Sequence, residues 1–215
     1  MGKAEHSAPV KTTDRQSHEE HRDYTGSKMG MWLFLFTEII LFGGIFLLYS
    51  VYRAKYPVDF HNAALELNAT IGAINTAILL TSSLSVALSI TAIQKDEKTL
   101  SAGLLIFTIF MAFAFLVNKY FEWSAKIHHG IYPNSPELSK YPGGEIIFFG
   151  LYYVMTGLHG VHVIIGIIVL SIMLFLVLKD IVNKTDFIKL ENAGLYWHIV
   201  DIIWIYLFPL FYLIT

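Results

Sequence analysis

The chain has 215 residues, 55% of them hydrophobic and 15% charged, with 15 basic residues against 17 acidic ones. Soluble globular chains carry about 25% charged residues; here the shortfall lies in long uncharged stretches after a polar start, which excludes a single soluble domain and points to a polytopic membrane protein. There is no cysteine, which excludes disulfides, thiolate metal sites, iron–sulfur clusters and haem attached through C-x-x-C-H.

The first 27 residues mix both charge signs and have no apolar core, so they are expected to form a disordered or extended tail rather than a signal peptide. A membrane-spanning helix needs about 20 mostly apolar residues. Five stretches of the 28–215 region meet that condition: residues 29–52, 69–93, 102–123, 145–178 and 193–215. The expected class is therefore all-α, a five-helix transmembrane bundle. The fourth stretch is long for a bilayer of about 30 Å and should tilt or project beyond it. The linking segments are too short for a second domain, and no internal repeat is visible. No basic block or glycine-rich phosphate loop suggests a nucleic-acid or nucleotide partner.

Lysine and arginine set the expected orientation. Ten lie in the tail and in the loops after the second and fourth spans; five lie on the other side, at Arg53, Lys55, Lys119, Lys126 and Lys140. This predicts a cytoplasmic N-terminus and an outside C-terminus.

Ionisable groups inside spans are costly and are candidates for function. Glu38 lies about 14 Å into the first span with no basic residue at helical spacing, so it should be neutral or paired through another helix. In the second span, Asn75 and Thr76 should face the bundle. Thr81, Ser85 and Ser89 recur every four residues, with Ser82 and Ser83 widening the stripe, a pattern for close helix packing. Lys119 and Glu122 are three apart near a helix end and read as a snorkelling anchor. In "TGLHGVHVIIG", His159, His162 and Thr156 share a helix face, while Gly150, Gly157, Gly160 and Gly166 should narrow the helix for a close neighbour. Asp201 follows His198 by three residues and could accept a hydrogen bond from it or from a histidine of the fourth span. The histidines can act as hydrogen-bonded helix clamps, as proton- or lipid-linked groups, or as metal or haem ligands. A di-haem cytochrome and a proton-coupled transporter built on Glu38 and Asp201 are the alternatives this pattern leaves open.

The stretches "KMGMWLFLFTEIILF", "NTAILLTSS", "FEW", "FFGLYYVMTGLHGVHVIIG" and "YWHIVDIIWIYLF", in that order, resemble subunit III of the haem-copper terminal oxidases, in its short five-helix bacterial form. The resemblance covers about residues 28–212. It implies a multi-pass subunit of the bacterial cytoplasmic membrane, with no catalytic centre and no cofactor or metal of its own. Haem and copper are expected in the partner subunits. Subunit I would be a direct neighbour, with subunit II in the same complex and phospholipid as a further ligand. The implied role is to stabilise subunit I and to support proton uptake and dioxygen access during aerobic respiration. Glu38 matches the family's buried glutamate, and His159, His162, His198 and Asp201 match its intramembrane polar cluster. Quinol oxidases and a nitric-oxide-reductase-associated relative share the short form. The long form has two further helices that the short form lacks, so a lipid cleft of the long type is expected here only where a neighbouring subunit supplies the missing wall.

Overall fold

The computed structural model describes the backbone of residues 13–213 and side chains from Thr25 onward. Six α-helices follow one another: α1 (Thr13–Lys55), α2 (Pro57–Leu65), α3 (Ala69–Gln94), α4 (Lys98–His128), α5 (Gly143–Leu178) and α6 (Ile188–Tyr212), with a 3-10 turn at Leu138–Lys140 before α5. No strand occurs among the described residues. Five of the helices, all but α2, are long and apolar enough to cross a membrane. The chain is a multi-pass membrane protein. The first twelve residues of the expected tail lie outside the described residues, and α1 begins at Thr13, ahead of the start at Met29 that hydropathy alone marks.

Helices α3, α4, α5 and α6 pack pairwise into a closed ring, and α1 leans on α5 and α6 from outside. Only one stripe of α1 is buried, through Leu35, Phe42 and Tyr49, while Trp32, Leu33, Phe36 and Leu47 stay exposed. That exposure suits lipid rather than water. The N-terminal end of the membrane part of α1 is tied to α6 by the Lys28–Glu191 ion pair at 2.9 Å and by Asn192 donating to Ser27 at 3.0 Å.

The local signals explain where the helices stop. Asn68 caps α3, its side-chain oxygen accepting from the backbone N–H groups of Thr70 and Ile71 at 3.0 and 3.3 Å. The α3–α4 and α5–α6 turns pass through Asp96 and Asp180, with φ of 68° and 63°, a left-handed conformation that aspartate tolerates.

Helix α2 has no counterpart in the hydropathy profile, because nine residues are too few for a span. Pro57 starts it. It then buries Phe60, Ala63 and Ala64 against the end of α5. This docking uses the extra length of α5, whose 36 residues run about 54 Å. Asp59 accepts from the N–H of Gly144 at 3.1 Å and so serves the open N-terminus of α5. A side chain at Gly144 would meet that carboxylate and Tyr56, so the approach requires glycine. Behind it, the rings of Tyr49, Phe60, Phe148 and Phe211 meet edge-on at 5.2–5.4 Å.

Of the four glycines expected to narrow α5, only two meet a neighbour. A methyl on Gly166 would lie 2.7 Å from the Trp197 ring, and one on Gly157 would lie 3.2 Å from Trp123. Gly150 and Gly160 face nothing within 4 Å, so they bring no helix closer. Gly157 and Gly160 also line a cleft of about 700 Å³ between α4 and α5.

Candidate functional site

The buried polar groups form three assemblies along the bundle. The first is a closed ring at the α4–α5–α6 junction. Lys119 and Glu122, each 7% exposed, pair at 3.0 Å. The Lys119 ammonium also donates to the hydroxyls of Tyr152 and Tyr212 at 3.1 and 2.9 Å. Both hydroxyls donate to the other Glu122 oxygen, at 2.8 and 2.5 Å. Every donor of the ammonium and both carboxylate oxygens are used. The pair is thus not a snorkelling anchor. Its helix face turns inward, and the phenols of α5 and α6 supply the polar surroundings that water would otherwise give. Tyr212 reads from the sequence only as an aromatic of the interfacial belt and Tyr152 carries no mark, since nothing in a tyrosine's position along one helix tells which charge it meets on another.

The second assembly joins α1 to α5. Glu38, 14% exposed at its side chain, meets His162 with Oε2 2.9 Å from Nε2. The other ring nitrogen, Nδ1, lies 2.8 Å from the backbone oxygen of Leu158. That bond makes Nδ1 the donor and turns Nε2 towards the carboxyl group of Glu38. Phe42 covers the imidazole edge-on at 5.3 Å. His162 is therefore a clamp between helices.

His159 is not. It is fully buried, and among the described residues neither ring nitrogen has a hydrogen-bond partner. It stacks between Phe115 and Trp204, with ring centres 5.5 and 5.3 Å away. Its neighbour Thr156 bonds back to Tyr152 O at 2.6 Å, within its own helix.

The third assembly is the α3–α6 seam. Thr76 accepts from the Trp204 indole at 3.0 Å, and Ser82 accepts from the Trp197 indole at 3.1 Å. Ser83 lies 2.6 Å from Nδ1 of His198. The Asp201 carboxyl is 2% exposed, and among the described residues neither of its oxygens has a hydrogen-bond partner, His198 included.

The serine stripe serves the α3–α4 contact. Ser85 donates to Leu104 O at 3.0 Å, and Ser89 meets Ser101 at 2.8 Å. Thr81 is exposed and bonds to Ala77 O of its own helix, so the buried stripe runs through Ser82, Ser85 and Ser89 instead. Asn75 accepts from Asn118 of α4 at 2.9 Å.

At the loop end of the bundle, Lys126 is buried and donates to Glu66 O at 3.1 Å. Beyond the spans, the Glu66 carboxylate, then burial, then Glu145 and Glu137 push the Tyr141 phenol above its ordinary range.

Among the described residues, no three His, Asp or Glu side chains converge as metal ligands do. The histidines of the spans are separately committed: His162 to Glu38, His198 to Ser83, His159 to two aromatic rings.

Residues 10–215 match the family described as cytochrome c oxidase subunit III. A cytochrome c oxidase subunit 3 of Thermostichus vulcanus is 31% identical over 197 residues, covering 91% of this chain and 90% of the relative. A probable quinol oxidase subunit 3 of Staphylococcus saprophyticus is 29% identical, covering 94% of both. A haem-copper oxidase subunit I+III of Aeropyrum pernix is 30% identical across 91% of this chain, which spans 24% of that longer protein. The chain belongs to the cytochrome c oxidase subunit III family, the membrane subunits III of haem-copper terminal oxidases.

Proposed function

We propose that the chain is the non-catalytic subunit III of an aerobic respiratory oxidase that reduces dioxygen to water and translocates protons. In this reading it packs directly on subunit I, sits in the same complex as subunit II, and leaves haem and copper to those partners. It would stabilise subunit I and support its proton uptake and dioxygen access. Its N-terminus would lie in the cytoplasm and its C-terminus outside, as the lysine and arginine balance argues.

The observation that carries this reading is the relative in which a subunit III region and subunit I form one polypeptide. A fused arrangement is natural only for parts that work side by side. The non-catalytic part is supported by His162, whose two ring nitrogens are engaged by Glu38 and by the backbone oxygen of Leu158 and so are closed to a haem iron. The cleft between α4 and α5 supports a lipid role. It is lined by apolar Leu116, Val161 and Ile164, with Ser124 and His128 also on its wall, and so suits an acyl chain with its polar end. Relatives named for cytochrome c and for quinol lie at nearly equal identity, 31% and 29%, so the donor is read from other subunits.

The test is the absorption spectrum of the chain separated from its partners. No haem band should remain with it. A stoichiometric haem signal that stays with the isolated chain and disappears in His159→Ala would contradict the reading.

A further inference from the structure

On the flank of α4 that faces α3 lies a hollow of about 730 Å³. Its loop end is polar, with Glu66, Lys126, His129 and Tyr141 on the wall. Further into the membrane the wall is apolar, with Ile71 and Ile74 from α3 and Phe121 from α4. Ile74 and Phe121 are 51% and 64% exposed, so this part opens sideways onto the hydrocarbon. From Lys126 back to Asn118, the α4 residue of the wall farthest from the loop, the hollow follows the helix for about 12 Å.

Two charges at the loop end are left with capacity to spare. Lys126 is 8% exposed, and its ammonium makes one hydrogen bond among the described residues, to the backbone oxygen of Glu66 at 3.1 Å. An ammonium has three donors, so two remain for an acceptor in the hollow. A buried cation with unused donors is costly, and a ligand oxygen would relieve that cost. The Glu66 side chain is exposed and enters no ion pair among the described residues, with Lys126 or any other cation. Its carboxylate is felt nearby: it is the foremost cause, ahead of burial, Glu145 and Glu137, that pushes the Tyr141 phenol up. Glu122 also reaches the wall but adds no free charge, because its two oxygens accept from Lys119, Tyr152 and Tyr212. The hollow thus offers one cation and one anion next to an apolar trough.

We propose that this hollow binds one aminophospholipid, of the phosphatidylethanolamine type, from the leaflet on the α2 side of the membrane. Lys126 donates to its phosphate, the Glu66 carboxylate accepts from its ammonium, and the first part of an acyl chain lies along Ile71, Ile74 and Phe121. The charge pattern selects this headgroup. A purely anionic one would meet Lys126 but bring a second negative charge beside Glu66. A choline headgroup has no N–H to give to a carboxylate. A free phosphate would leave the apolar trough unfilled. The site lies on the other flank of α4 from the α4–α5 cleft, and it does not depend on which oxidase the chain serves.

Photo-crosslinking tests the site on the full chain, purified in mild detergent with the subunits that accompany it. The probe is phosphatidylethanolamine with a diazirine near the head of one acyl chain. After illumination, peptide mass spectrometry should find the label on the α3 and α4 segments that carry Ile74 and Phe121. Unlabelled phosphatidylethanolamine should compete about tenfold better than phosphatidylcholine or phosphatidylglycerol, the gain expected from one charge-assisted hydrogen bond. Glu66→Gln should abolish that preference. Lys126→Met should lower the labelling by about tenfold or more. Lys126 also holds the Glu66 backbone, so its loss could disturb assembly; Glu66→Gln alters only an exposed side chain and reads the site independently. Labelling that avoids both segments would overturn the proposal. So would phosphatidylglycerol or phosphatidylcholine competing as well as phosphatidylethanolamine, or a preference that survives Glu66→Gln.

Discussion

At the scale of single residues, the Lys119–Glu122–Tyr152–Tyr212 ring sets the strongest expectation. Four polar groups from three helices satisfy one another completely within an apolar bundle. Such a ring is weak evidence for net stabilisation, because taking both charges out of water is itself costly. Its loss by halves is another matter. Lys119→Met would strand the Glu122 carboxylate between two phenols, at a cost of about 3–5 kcal/mol. Removing both charges together, with Lys119→Met and Glu122→Leu, should recover most of that loss. A double-mutant cycle on thermal unfolding in detergent measures the coupling. Additive effects of the two single changes would show that the pair is not a coupled unit. Glu38 and His162 form a smaller clamp of the same kind, between α1 and α5. The sequence pairs Lys119 with Glu122 and asks for a partner to Glu38 on another helix, but it does not name the two phenols or His162. Spacing places Lys119 and Glu122 on one face of α4, and it places His159 and His162 on one face of α5. Which way each face turns depends on packing between helices. That is why Lys119 points inward rather than to the membrane surface, and why His159 meets rings while His162 meets a carboxyl group.

At the scale of elements, hydropathy located the five spans because each must hide about 20 residues from water, a requirement written into composition. It did not reveal α2, a nine-residue helix held by Pro57, by Asp59 at the start of α5 and by the burial of Phe60. Nor did it separate glycines that admit a neighbour from glycines that do not. The two kinds should respond differently to the same change. Gly166→Ala would push a methyl group to 2.7 Å from the Trp197 ring, and that ring is fully buried with little room to yield. It should cost about 1–3 kcal/mol through overpacking. Gly160→Ala has nothing within 4 Å and removes a flexible residue from the interior of α5, so it should be neutral or stabilising by up to about 1 kcal/mol. Thermal melting of the two variants side by side distinguishes them. Equal losses in both would mean that the α5–α6 approach does not depend on Gly166.

At the scale of the whole molecule, α3 to α6 close a ring, while α1 is largely uncovered and joins it through Glu38–His162 and Lys28–Glu191. The composition already placed the chain in a membrane, and the motif order placed it in a family that the match over residues 10–215 now establishes. What no feature of one chain could give is the identity of the subunits around it, since the electron donor and metal centres belong to other polypeptides in the proposed complex. The central claim is that this chain works as the non-catalytic neighbour of an oxidase subunit I. Mild-detergent purification through a tag on this chain tests it most directly. The account predicts that subunits carrying haem and copper come with it in fixed stoichiometry, and that the purified assembly consumes dioxygen. A chain recovered without such subunits from membranes that contain an active haem-copper oxidase would contradict it.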